Sequence, residues 1–154
     1  MFFLSLFTKL LAIILYLLEK FDPEHKLTGP VGSVARNTFL CYNAFAAEAE
    51  SCVIPYFLHT VLYPPQMRNA AVAAEAKAKW DNKIQAFYSK FLHGKTGFAN
   101  GTDHFSALDV VVGYALGIAA RGNLITDPEL QAYVGRITQM PNFAAAHTDP
   151  ANAK

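Results

Sequence analysis

The sequence predicts a single all-α domain, on three observations. Its 154 residues are enough for one domain with a real hydrophobic core. Proline and glycine divide it into segments whose apolar residues recur at steps of three and four, the period of a helix buried along one face. No segment shows the alternation of a half-buried strand, and there is no internal repeat. A hydrophobic share of 53%, with 12 Phe and 7 Tyr, excludes a disordered chain.

The first element is the nearly continuous apolar run from Phe2 to Leu18, interrupted by Ser5, Thr8 and Lys9 and ending near Phe21 before Asp22-Pro23. It approaches the ~20 residues of a membrane span. Lys9 lies in mid-run, and both a basic leader and a small-residue cleavage site are missing. A buried helix and a membrane anchor both remain open on these grounds. A loop containing Gly29-Pro30 follows to about Gly32. Ser33 is placed to cap a long second helix that reaches about Leu62. Tyr42, Phe45, Ala46, Ala49, Cys52, Val53, Tyr56, Phe57 and Val61 form its inner stripe, and Pro55 is expected to kink it.

Tyr63-Pro64-Pro65 ends that helix, and a third is expected from about Gln66 to Leu92. Trp80, Ile84, Phe87, Tyr88 and Phe91 mark its inner face, with a Glu75–Lys79 pair outside. The two should form an antiparallel hairpin. Gly94 to Thr102 reads as a loop with Asn100-Gly101 at a turn. Ser106 and Asp109 then form a capping box ahead of the uncharged run Val110 to Ala120. A helix apolar on every side should be central and fully buried, with Gly113 and Gly117 admitting a close neighbour and Arg121-Gly122 ending it. Thr126-Asp127-Pro128-Glu129 reads as a second capping box, opening a helix with Tyr133, Ile137 and Met140 inward. Pro141 interrupts, and Phe143 to His147 can form a short last helix.

Most chemistry is excluded by composition and spacing. A net charge of +1, with 16% charged residues, provides no field for a phosphate backbone, so no nucleic-acid partner is expected. Cys41 and Cys52 are eleven positions apart in one helix, or about 16 Å at ~1.5 Å per residue, beyond disulfide reach. They read as small buried apolar residues, and nothing points to an oxidising compartment; a cytoplasmic location is expected. His25, His59, His93, His104 and His147 show no ligand spacing, so no metal is expected. There is no nucleophile elbow, Gly94-Lys95-Thr96-Gly97 lacks the spacing of a phosphate loop, and Glu48 and Glu50 cannot face each other on a helix. Ser106 beside Asp109 is a helix cap rather than a nucleophile. No catalytic residue is expected.

Five segments, in order, resemble the cytosolic glutathione transferases. Ala12-Ile13-Ile14-Leu15-Tyr16-Leu17-Leu18-Glu19-Lys20-Phe21 resembles the helix that ends their thioredoxin-like half. A linker and a Pro-containing long helix follow, and Phe39-Leu40-Cys41-Tyr42-Asn43-Ala44-Phe45-Ala46-Ala47-Glu48 is similar to the first helix of their all-helical half. Phe105-Ser106-Ala107-Leu108-Asp109 resembles the family's buried capping box, and Tyr133 to Phe143 its late helix. The resemblance covers about residues 12–148. It implies a C-terminal-type bundle of about five to seven helices: residues 1–21 a remnant of the last thioredoxin-like helix, 22–32 a linker, 33–148 the helical domain and 149–154 a tail.

The resemblance also implies what these residues do not carry. In this family glutathione is held by the thioredoxin-like half, through an activating Tyr, Ser or Cys, a cis-proline loop and an acidic-Ser pair just before the Ala-Ile run. That pair would fall on Lys9-Leu10, and residues 1–11 are too few for a βαβ unit of about 30 residues. The expectation is a family whose activity is glutathione conjugation, in a chain that is inactive alone, by truncation or by loss of upstream coding sequence. No cofactor is expected beyond glutathione as the family's co-substrate. Tyr42, Phe45 and Ala49 would line the hydrophobic electrophile pocket, with core packing as the competing reading. The alternatives are a protein-interaction module of the elongation factor gamma type, working through a homodimer or another protein partner, and a membrane-tethered helical domain using Phe2 to Leu18. An apolar face of the first helix would be left without its sheet, which calls for a partner or a membrane.

Overall fold

The computed structural model describes the backbone of residues 3–148 and the side chains of residues 12–143 and 145. Every regular element among the described residues is helical. The first helix, α1 (Phe3–Phe21), stops before Asp22, whose buried carboxylate accepts the Lys26 and Leu27 N–H groups at 2.8 Å each and so shapes the turn that follows. That cap was not read from the sequence. None of the described helices is long and apolar enough to cross a membrane. The 149–154 tail lies outside the described residues.

Helix α2 (Val34–Phe57) starts at Ser33, whose hydroxyl accepts the Arg36 N–H at 3.2 Å. Pro55 lies inside it, and the backbone then widens into a π turn, Leu58–Leu62. The third segment begins later than expected. A short 3₁₀ turn at Pro65–Met67 intervenes, and α3 (Ala70–Lys79) is capped by Asn69, whose side chain accepts from Ala71 and Val72 N–H. A second π turn, Trp80–Ile84, joins α3 to α4 (Gln85–Leu92).

The hairpin is antiparallel, as the cross-contacts show. Lys79 meets Ser51 at 2.6 Å, Lys83 meets Glu48 at 2.6 Å, and Phe87 and Phe91 stack at 3.8 Å on Phe45 and Tyr42. Lys79 is therefore turned toward α2 rather than toward Glu75, and the i,i+4 ion pair of this face is Lys77–Asp81. Trp80, Ile84 and Tyr88 are buried, but Phe87 keeps an exposed edge.

The central helix is α5 (Ala107–Arg121), packed along α2 on one side and against α6 (Pro128–Thr138) on another, with α7 (Pro141–Thr148) beyond. The core lies where α2, the α3–α4 rod, α5 and α6 meet, and holds Phe39, Val53, Trp80, Tyr88, Leu116 and Tyr133. Gly122 closes α5; a Cβ there would come within 3.2 Å of the Tyr56 ring, which would have to give by a few tenths of an ångström. Helix α6 is opened by Asp127 rather than by a Thr126–Glu129 box. Pro128 fills the first helical position, where no N–H is needed, and the Asp127 carboxylate accepts from Glu129 and Leu130 N–H. Thr126 instead bonds Gln85, and Glu129 bonds His93 and Gly94.

Between α2 and α5 the core is partly polar. Asn43 and Glu50, two turns apart on one side of α2, are buried, and the Asn43 Oδ1 and Tyr88 hydroxyl have no hydrogen-bond partner among the described residues. Burial raises the Glu50 carboxyl from its ordinary 4.5 to about 7. Between those two values the folded chain binds more protons than the unfolded one, so stability falls as pH rises through that window. Glu50→Gln should flatten this slope and stabilise the protein at pH 8, on the order of 2 kcal/mol. Urea titrations at several pH values measure it, and equal slopes in both proteins would refute it.

Candidate functional site

The helix predicted to be buried on every side has one open face. Val110, Tyr114, Gly117 and Arg121 follow one another at steps of four, three and four, and Val110 and Tyr114 are 43% and 41% exposed. This stripe floors a groove of about 360 Å³, walled by Ile137 on α6 and by Met140, Asn142 and Phe143 at the start of α7. Its lining is mostly apolar, with Asp109, Tyr114, Arg121 and Asn142 as the polar residues. That composition and size suit a small apolar ligand held by few polar contacts.

The two glycines of α5 differ in role. A Cβ on Gly113 would meet Ile137 Cγ2 at 3.2 Å, so Gly113 admits α6 closely, as its spacing predicted. A Cβ on Gly117 would have nothing within 4 Å. Gly117 admits no neighbouring helix and instead deepens the groove.

One end of the groove rests on Asp109. The capping box is present, with Ser106 N–H and Oγ–H donating to Asp109 Oδ2 at 2.9 and 2.8 Å. Oδ1 accepts the Ala99 N–H at 2.6 Å and the Tyr133 hydroxyl at 2.9 Å. The buried carboxylate thus joins the 94–102 loop, the start of α5 and the middle of α6. Burial, then the Asp109 charge, push the Tyr133 phenol far above its ordinary range, so it remains a donor at any working pH. Sequence spacing revealed the Ser106–Asp109 pair; the bonds from ten residues before and 24 after left no local signal.

The residues expected to line an electrophile pocket lie elsewhere. Tyr42 and Phe45 are half-buried in an aromatic cluster with Phe87, Tyr88 and Phe91, and Ala49 is fully enclosed. None of the three borders the α5 groove. Their periodicity marked an inner face, which helix packing and pocket lining share.

Burial raises the Cys52 thiol to about 11 and its Sγ donates to the Ala49 carbonyl, whereas Cys41 is exposed rather than buried. No group of three or more His, Cys, Asp or Glu side chains among the described residues is arranged to hold a metal ion. No family model and no curated protein matches the chain.

Proposed function

We propose that the chain is a helical domain of the glutathione-transferase type whose α5 groove holds the apolar electrophile. The observation that carries this reading is the open stripe on an otherwise buried helix. A central helix without a charge from Val110 to Ala120 leaves an apolar groove of ligand size beside a buried capping box. The element order, with a Pro-containing long helix ahead of that box, supports the same reading. In this reading glutathione is held by a surface outside these helices, and conjugation requires both. The purified chain with glutathione and a chromogenic aryl halide should show no turnover above the uncatalysed rate, while the aryl halide still binds the groove. Turnover by the chain alone, or no binding of aryl halides, overturns the reading.

Gly117 offers a direct test of the groove. Gly117→Leu adds a side chain into open space and replaces glycine in a helix interior, a gain of about 0.8 kcal/mol from propensity. The variant should melt higher and bind the aryl halide at least roughly tenfold more weakly. Unchanged binding would place the ligand elsewhere.

A second reading, an assembly module, is favoured by α1. Ile13, Tyr16, Leu17 and Phe21 are exposed, with Phe21 at 70%, while Ile14, Leu15 and Leu18 pack on the core. An apolar outer face suits a covering protein or a second copy of the chain. Light scattering across a concentration series tests self-association, and a monomer at all concentrations counts against the homodimer.

A further inference from the structure

We propose that Asn100 is a site of spontaneous covalent modification, where the Gly101 nitrogen closes on the Asn100 side chain and converts it to aspartate and isoaspartate. The proposal is independent of the α5 groove and of the electrophile reading. Asn100 is the one asparagine of the chain that precedes a glycine. Every other asparagine is followed by a residue whose side chain crowds the nitrogen that would attack. Asn100 and Gly101 are both exposed, on a turn closed by the Phe98 N–H donating to the Thr102 carbonyl at 2.9 Å. A Cβ on Gly101 would meet only the Lys95 side chain, at 3.9 Å, so the approach is open.

The turn both primes and restrains the reaction. Asn100 Oδ1 accepts the Thr102 N–H at 3.0 Å and the Thr102 hydroxyl at 2.9 Å. Two donors on one carbonyl oxygen draw charge from Cγ and stabilise the oxyanion that forms when Cγ is attacked. The attacking group, the Gly101 N–H, donates to the Phe98 carbonyl at 2.8 Å. The leaving group, Asn100 Nδ2, donates to the His104 carbonyl at 3.2 Å. These two bonds must open first, so the reaction waits on a local opening of the loop and not on unfolding of the domain. In the step itself the Gly101 nitrogen bonds Cγ and its proton passes through water to Nδ2. The Cγ–Nδ2 bond breaks, and Nδ2 leaves as ammonia. Water then opens the five-membered imide at one carbonyl or the other, which gives aspartate or isoaspartate; water is the only co-reactant. Both products replace the donor that faces the His104 carbonyl with a carboxylate. Isoaspartate also lengthens the main chain by one carbon, directly after Ala99, whose N–H donates to Asp109 Oδ1 at 2.6 Å. The modification therefore loosens the hold of the loop on the buried carboxylate.

The test is incubation of the full chain in mildly alkaline buffer, followed by tryptic digestion and mass spectrometry. The tryptic peptide 96–121 contains Asn100 and no other asparagine. It should gain the mass of a hydroxyl exchanged for an amine and resolve into aspartyl and isoaspartyl isomers, while the other asparagines stay unchanged over the same time. The folded chain should react at least roughly tenfold more slowly than the chain unfolded in guanidinium chloride, because the two turn bonds must open. Conversion should lower the melting temperature by a few degrees. Asn100→Gln, whose longer side chain closes a six-membered ring far less readily, should keep its melting temperature through the same incubation. No mass gain in peptide 96–121 of the folded chain, faster reaction at another asparagine, equal rates in the folded and unfolded chains, or a parallel loss in Asn100→Gln overturns the proposal. Loss of aryl halide binding in the α5 groove, by contrast, bears on the electrophile reading alone.

Discussion

Asp109→Ala is expected to destabilise the protein by about 3–5 kcal/mol, a large part of the ~5–15 kcal/mol that holds a domain folded. The Ala99 N–H and the Tyr133 hydroxyl both belong to fully buried residues and both donate to Asp109 Oδ1. Without the carboxylate each loses its acceptor where water cannot replace it, at about 1–3 kcal/mol apiece. The Ser106 N–H loses its partner as well, and with it the helix start. Ser106→Ala is the milder comparison. It removes one hydroxyl and keeps the N–H bond to Oδ2, for about 1 kcal/mol. Thermal melts separate the two, with a drop of roughly 10 °C for Asp109→Ala and a few degrees for Ser106→Ala. Equal drops would mean that the carboxylate acts only as a local cap and not as the junction of three segments.

That comparison marks where the sequence was legible. Bonds between near neighbours leave a pattern: Ser33 ahead of a periodic run, Ser106 three residues before Asp109, proline after the end of α2. Each reflects the orphan N–H groups of a helix start or the missing donor of proline. The all-helical fold and the α2–α3 hairpin followed from them. Burial of a particular face depends on what other segments cover, and periodicity does not carry that. Val110 and Tyr114 read as core because α5 carries no charge from Val110 to Ala120, yet nothing among the described residues packs over their stripe. Tyr42 and Phe45 read as pocket candidates on a resemblance, yet the α4 segment brings Phe87 and Phe91 onto them. Glu50 was legible only as a charged residue in a helix; its burial depends on α5 lying along α2.

Trp80→Ala is expected to cost about as much as Asp109→Ala, some 3–5 kcal/mol, for a different reason. Trp80 is the single tryptophan and is fully buried at the first position of the π turn that joins α3 to α4. Its ring fills the core between the hairpin and α5, and its Nε1–H donates to the Leu124 carbonyl at 3.1 Å, 44 residues away. Leu124 follows the end of α5, where its own N–H is held by the Ala119 carbonyl at 2.9 Å. The indole therefore supplies volume and also fixes where α5 ends relative to the hairpin. Trp80→Phe separates the two contributions: it keeps most of the buried area and removes the hydrogen bond, for about 1–2 kcal/mol. Urea unfolding followed by far-ultraviolet circular dichroism gives both values, since the fluorescent reporter is lost with the residue. If Trp80→Phe costs as much as Trp80→Ala, the Leu124 bond outweighs the volume. The last turn of α5, with Gly117 and Arg121 on it, would then depend on that bond for its position, and groove binding should weaken in Trp80→Phe as well. If the volume dominates, Trp80→Phe should retain the groove.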